Sequence, residues 1–181
     1  MDTGTLISKV NKYKHILENT LKYRESWHKN VKPLLTASLD EILKQSGLAK
    51  GEIIVRDNIA NLEAVVFDLG RSSSGISENL DDSGVMRTMI KSNGSLIYQQ
   101  LFNGKIMVMT VSPHIEGYGQ PKPPTTLEIL RPEEINQKII IKHLETFFDE
   151  ITEWEDYDDD EQRPNTIGFN PTGVISHPEE A

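Results

Sequence analysis

Apolar and polar residues alternate through the first 50 positions with the spacing of α-helices. Apolar side chains that recur every three or four residues predict an amphipathic helix over about residues 5–29. Asn30 is a suitable N-cap for a second helix, which tolerates Pro33 in its first turn and ends near Ser46 and Gly47. The pattern therefore predicts two N-terminal helices.

The apolar spacing changes from the helical period to a period of two after residue 51, which is typical of β-strands. Residues 70–84 are rich in Gly, Ser, Asn and Asp and are predicted to form a loop. The pairs Asn93-Gly94 and Asn103-Gly104 favour type I′ turns, so we expect an antiparallel meander around them. Five or six strands are predicted in all, at residues 52–57, 62–69, 85–91, 95–102, 105–112 and 126–130.

Two of the predicted strands, 64–67 and 106–111, are apolar on both faces and need cover on both sides of the sheet. Pro132 begins a C-terminal helix with a broad apolar stripe. The pattern predicts an α+β fold with two N-terminal helices, an antiparallel five- to six-stranded meander, and one C-terminal helix packed on the sheet. We expect a single domain over residues 1–152 and an acidic tail with Pro and Gly over residues 153–181.

Composition and charge narrow the function classes. The chain has 181 residues, a formal net charge of −9 and no cysteine, which excludes disulfides and thiol nucleophiles within this sequence. The negative charge argues against a nucleic-acid binder, because such proteins need basic surface to displace counterions. No apolar run exceeds four residues, so we expect a soluble, cytoplasmic protein with no membrane partner.

One short segment suggests phosphoryl chemistry. Residues 64–70, AVVFDLG, resemble the first motif of haloacid-dehalogenase-like phosphohydrolases, whose aspartate at the end of a buried parallel strand is the nucleophile. The resemblance implies that role for Asp68. It covers only seven residues, and the predicted elements lack the alternating strands and helices of that family.

Five other polar residues are candidates for ligand binding, because residues at strand ends often carry function. Arg56 and Asp57 end the first predicted strand. His114, Glu116 and Tyr118 follow the last strand of the meander, beside a loop rich in Gly and Pro. The sequence predicts no catalytic constellation, metal site or cofactor.

The leading hypothesis is therefore a non-catalytic protein-interaction or chaperone-like module that acts as a homodimer and binds another polypeptide or itself. Its support is the doubly apolar strands and an uneven charge, with net +4 over residues 1–50 and −13 over residues 51–181. In outline the element order is similar to bacterial secretion chaperones and to the nuclear-transport-factor-2-like fold. The alternative is a small-ligand-binding or enzymatic domain, which requires a pocket between sheet and helices into which at least two of the five candidates converge.

Overall fold

The computed structural model describes residues 3–80 and 84–157 and confirms the α+β fold, with helices at both ends of this described part and antiparallel sheets between them. The helical elements are α1 (Gly4–Ser26), a π-helical turn (Trp27–Val31), α2 (Lys32–Ser46), a 3₁₀ turn (Pro132–Glu134) and α3 (Gln137–Glu155). The strands are β1 (Glu52–Arg56), β2 (Ala64–Asp68), β3 (Arg71–Asn79), β4 (Met86–Ser92), β5 (Ser95–Gln100), β6 (Ile106–Val111), β7 (His114–Ile115) and β8 (Thr125–Leu130).

The two predicted N-terminal helices are continuous through the π-helical turn. The backbone N–H of Lys32 bonds to the carbonyl of Trp27, five residues back, and the flanking residues keep helical dihedral angles. Pro33 explains this turn, because its ring clashes with the carbonyl four residues earlier in a regular α-helix. Asn30 does not cap a helix, since it lies inside the turn and donates to the Ser26 hydroxyl.

The predicted loop at residues 70–84 is wrong for its first part, because residues 71–79 form β3. The first three pairs of β3 with β4 continue the register in which β2 pairs with β5, so β2–β3 and β4–β5 form one long hairpin, and the register shifts at a bulge between Ser73 and Ser77. The backbone of β4 supplies hydrogen bonds that the serine-rich segment needs, and the Ser74 hydroxyl donates to the Met89 carbonyl. We call residues 71–79 and 86–92 the arm. Strands were predicted from apolar residues at a period of two, and a hairpin that lies in solvent does not need such residues.

The two Asn-Gly pairs have different roles. Asn103-Gly104 lies in the turn between the paired strands β5 and β6, as predicted, but the turn is not type I′, because Gly104 has a positive φ and Asn103 does not. Asn93-Gly94 does not close a hairpin, because β4 pairs with β3 and β7 whereas β5 pairs with β2 and β6. It marks the passage from the three-stranded sheet β3-β4-β7 to the five-stranded sheet β1-β2-β5-β6-β8.

Helices α2 and α3 pack on one face of the five-stranded sheet and form the main core with it. Phe67 of β2 meets Phe147 of α3 edge-on, with ring centroids 6.3 Å apart. The opposite face carries a smaller cluster around Val66 and Ile97, as expected of strands that are apolar on both sides. Helix α3 continues to Glu155, three residues past the predicted domain boundary, and the predicted tail from residue 158 onward lies outside the described residues.

The turn between β5 and β6 contacts the end of α1 through Gly104. A Cβ atom there would come 2.6 Å from the Tyr23 Cβ and 3.0 Å from the Arg24 nitrogen. Gly104 also has a φ of +77°, in the left-handed region that favours glycine. The Arg24 guanidinium donates to the Phe102 carbonyl at 2.6 Å. These contacts fix the last turn of α1 to the sheet.

We expect Gly104→Ala to destabilise the fold more than Gly75→Ala does. Gly75 has nearly the same φ, +76°, but its added Cβ would meet nothing within 4 Å, so that variant reports the left-handed strain alone, about 1–2 kcal/mol. The close approach to α1 adds about 1–3 kcal/mol at Gly104. Urea unfolding of both variants tests this, and equal losses would contradict the packing argument.

Candidate functional site

Seven exposed large apolar side chains lie on α1. This 23-residue helix contains no buried residue, whereas Trp27 and Val31, which continue its apolar spacing, are buried in the core. We call the exposed apolar residues of α1 the stripe. Their exposed fractions run from 42% to 66%. The stripe consists of Leu6, Ile7, Val10, Tyr13, Ile16, Leu17 and Leu21.

The surroundings of the stripe are basic. Between residues 4 and 26 the chain carries five Lys or Arg and two Glu, a net charge of +3. Lys9 and Lys14 flank the centre of the stripe on opposite sides, by the helical period of about 100° per residue. Their long aliphatic stems extend the apolar surface while their ammonium groups stay in water.

The π-helical turn and the first residue of α2 place three polar groups around one buried carboxylate, Glu63, which directly precedes β2. The indole N–H of Trp27 donates to it at 3.1 Å, and the Lys32 ammonium does so at 2.9 Å. The His28 ring lies 3.8 Å away. The side chain of Glu63 is only 8% exposed, and Lys32 also approaches Asp57 at 3.9 Å. The cluster joins the continuous helix of residues 4–46, which we call the rod, to the sheet.

The pKa of Glu63 reflects two opposing effects. Burial raises the pKa, because it disfavours the charged carboxylate, while hydrogen bonds from Lys32 and Trp27 and the charge of Lys32 lower it. The net pKa lies below its usual value, so Glu63 is ionised at neutral pH. A carboxylate held charged by fixed donors is suited to a structural role, whereas a general acid or base needs a pKa near the working pH.

An open groove runs beside this cluster, between α2 and β1, with a volume of about 740 Å³. Strand β1 is at the edge of its sheet, so within the described residues one side of its backbone pairs with no other strand. The groove is open to solvent and does not enclose a cavity. Its walls are mixed apolar and polar: His28, Lys32, Pro33, Thr36, Ala37, Asp40, Ile53 and Val55.

The five predicted ligand residues do not form one site. Arg56 ends β1 and pairs with Ala64 at the start of β2, and Asp57 follows it. Asp57 approaches Lys32 of the Glu63 cluster, but neither Arg56 nor Asp57 lines the groove. The structure therefore separates these two residues from the other three, which lie at the opposite end of the sheet, where β7 meets β4.

His114 and Tyr118 do converge, on a small cavity also lined by Trp154. Its volume is about 10 Å³, which is room for one water molecule. Glu116 does not line it and pairs instead with Arg71 of the arm at 3.4 Å. The cavity is too small for a substrate. His114, Glu116 and Tyr118 instead connect the arm to the rest of the fold.

A second buried polar group involves α3 and β8. Burial raises the pKa of Tyr98 far above its usual value, so its hydroxyl keeps its proton; this hydroxyl lies 3.1 Å from Nδ1 of His143. Nε2 of His143 lies 3.5 Å from Glu128, which Lys142 also contacts. Burial lowers the pKa of His143 more than Glu128 raises it. A neutral histidine bonded on both sides fits a structural link, and neither of the two cavities reaches it.

Asp68 has a local structural role. It ends β2, whose neighbours β1 and β5 are both antiparallel to it, so the parallel strand of the phosphohydrolase motif is absent at this position. The Asp68 carboxylate accepts a hydrogen bond from the backbone N–H of Gly70 at 2.6 Å, which is an Asx turn. In residues 3–80 and 84–157, no group of three His, Asp or Glu side chains is placed to hold a metal ion.

Comparisons with known proteins add no family to this picture. No protein-family model matches the chain, and neither does any curated protein or solved structure. Among the helices described above, none combines the length and apolar composition that a bilayer crossing requires.

Sequence reasoning identified the helix that carries the stripe but not its exposure. The signal that could have predicted this exposure is the combined length of the two helices. A rod over residues 4–46 is roughly 65 Å long at 1.5 Å per residue, far longer than a five-stranded sheet is wide at about 4.8 Å per strand. Part of the rod must therefore extend beyond the sheet. The Glu63 cluster had no local signal, because Glu63 lies more than 30 residues from both Trp27 and Lys32.

Proposed function

We propose that this protein is a non-catalytic interaction module that acts as a homodimer through α1. The observation that carries the proposal is the stripe, seven large apolar side chains on a helix with no buried residue. Monomeric proteins rarely expose contiguous apolar patches larger than a few hundred Å² unless the patch is an interaction site. The periodic spacing of the stripe fits a helical partner.

The distribution of polar groups supports the same proposal. The buried clusters around Glu63 and His143 are paired within the fold and adjoin no enclosed substrate-sized cavity among those described. The small-ligand alternative required at least two candidate residues converging on a pocket. His114 and Tyr118 meet only at the water-sized cavity, so the geometry favours an interaction surface.

We expect Leu17→Glu to abolish homodimers without unfolding the protein. The substitution places a charge within the stripe, where burial against a second helix would be costly. Asn11→Glu is the matched control, because it adds the same charge to an exposed position away from the stripe. Light scattering over a concentration series should show a dimer for the wild type and the control, and a monomer for Leu17→Glu. A monomeric wild type, or a dimer in all three, would contradict the proposal.

The groove along β1 favours a second candidate function, binding of an extended segment of another polypeptide by strand addition. Backbone hydrogen bonds to β1 would supply affinity, and contacts with Ile53 and Val55 would supply selectivity. The arm does not occupy this edge, because it pairs through β4 and β7. This function uses a surface separate from the stripe and is compatible with the homodimer.

We expect Ala37→Arg to weaken such binding at least about tenfold, or 1.4 kcal/mol, because the larger side chain fills the groove. Ala49→Arg is the control, since Ala49 is exposed after the end of α2 and does not line the groove. Peptides selected from a random displayed library against the wild type provide the probe. Selected peptides that bind Ala37→Arg as tightly as the wild type would place the binding site elsewhere.

A further inference from the structure

We infer that α1 pairs antiparallel with α1 of a second copy, with Leu6 of each copy opposite Leu17 of the other. The inference rests on the proposed homodimer and specifies its interface. Two kinds of observation on α1 carry it: the spacing of the stripe and the positions of its lysines.

The spacing defines a seam of four residues. Leu6, Val10, Tyr13 and Leu17 are separated by four, three and four residues, which is the repeat of a two-helix coiled coil. The next two positions of the same repeat, Thr20 and Arg24, lie against the turn that contains Gly104. The seam is therefore limited to the part of α1 that extends past the sheet.

An antiparallel alignment matches this short seam to itself. Leu6 then faces Leu17 of the second copy, and Val10 faces Tyr13, so all four layers are apolar. A parallel alignment also stacks like residues, but it continues into Thr20 and Arg24 and brings the two sheets to the same end of the helix pair. The antiparallel arrangement places the two bodies at opposite ends.

The lysines distinguish the two orientations. A parallel pair would place Lys9 of one helix beside Lys14 of the other, twice, because these flanking positions are neighbours across a parallel seam. An antiparallel pair places them on opposite sides of the seam. There the stem of Lys14 covers Ile7 of the second copy, and the stem of Lys9 covers Ile16. The charge pattern therefore favours the antiparallel orientation.

The acidic C-terminal segment is a less suitable occupant of the stripe, because its apolar residues do not repeat with the spacing of the seam. Ile167, Phe169, Val174 and Ile175 are separated by two, five and one residues. A second copy, by contrast, brings an identical apolar seam.

The interface is small. Residues 6–17 span roughly 17 Å of helix at 1.5 Å per residue, so the buried area falls below about 1,200 Å² in total, in the range of weak complexes. We therefore expect a reversible dimer with a dissociation constant on the order of micromolar.

Crosslinking tests the orientation, because the chain contains no cysteine. Leu6→Cys and Leu17→Cys variants of the full chain, one carrying a size tag, are treated with a short bis-maleimide alone and as a mixture, above the midpoint of dimerisation. Cysteine remains a small apolar side chain in the seam. We expect a crosslinked heterodimer in the mixture and almost none in either variant alone, where like residues are roughly 16 Å apart along the axis.

Other outcomes overturn the inference in distinguishable ways. Crosslinking of each variant alone would show a parallel pair. A dimer by light scattering without any crosslink would move the interface away from α1 and leave the homodimer standing. A wild type that stays monomeric would overturn the homodimer as well. If that monomer sediments with anionic phosphatidylserine vesicles and Leu17→Glu does not, the stripe binds a lipid surface instead.

Discussion

Replacing Trp27 with alanine should lower the free energy of unfolding by about 3–5 kcal/mol, the range for removal of a large buried aromatic side chain. Trp27 is fully buried and is the largest side chain in the core. It lies in the π-helical turn, and its indole N–H donates to Glu63. The substitution removes packing from the sheet and a donor from a buried carboxylate. Urea unfolding followed by circular dichroism measures the loss.

Trp27→Phe separates the two contributions. Phenylalanine keeps most of the apolar volume but cannot donate to Glu63, so we expect a loss of about 1–3 kcal/mol. Trp154→Ala provides a comparison at a half-buried tryptophan near Lys91 and should cost less than Trp27→Ala. If Trp27→Ala cost no more than Trp154→Ala, the π-helical turn would not be the point that joins the rod to the sheet.

The second large effect is expected at Glu63. Glu63→Ala leaves the Trp27 N–H without its acceptor and the Lys32 ammonium without its buried partner. Breaking a fully buried pair costs about 3–5 kcal/mol, but Lys32 is 26% exposed and regains some hydration. We therefore expect a loss of about 2–3 kcal/mol. Lys32→Met combined with Glu63→Leu should recover part of it, because no charge is then left unpaired.

The same carboxylate makes stability depend on pH. Its pKa in the folded protein lies below its usual value, so its contribution is present above about pH 4.5 and is lost as the pH falls through the folded pKa. We expect the wild type to lose more stability than Glu63→Gln between pH 5 and pH 3. Parallel stability curves for the two proteins over that range would show that Glu63 does not contribute in this way.

Local sequence patterns located the helices and strands better than they predicted which strands pair. Period-two spacing located β5 and β6, and the Asn103-Gly104 turn joins them as expected. The same logic failed at Asn93-Gly94, because a turn motif does not reveal that β3 and β4 extend an existing hairpin. The polar residues 71–79 were predicted as a loop, since a strand paired in solvent carries no apolar signal.

The candidate surfaces were harder to predict than the fold. Helical spacing marked α1, but a single sequence cannot tell whether an apolar stripe faces its own core or another chain. The Glu63 cluster depends on contacts between residues distant in sequence, which no local motif encodes. Pro33 was interpreted as part of the first turn of a separate helix, whereas the first helix widens at the π-helical turn and then continues. The widened turn contains the buried side chain of Trp27.

The π-helical turn also sets the direction, around the axis of α1, in which the stripe points. One extra residue in a turn corresponds to roughly 100° of rotation about a helix axis. Deleting one residue between 27 and 31, with Pro33 replaced so that a regular helix can form, would therefore swing the seven apolar side chains by about a quarter of a circle while α2 stayed seated. Homologous proteins that differ by a single codon in this turn would present the same surface to a partner arriving from a different direction.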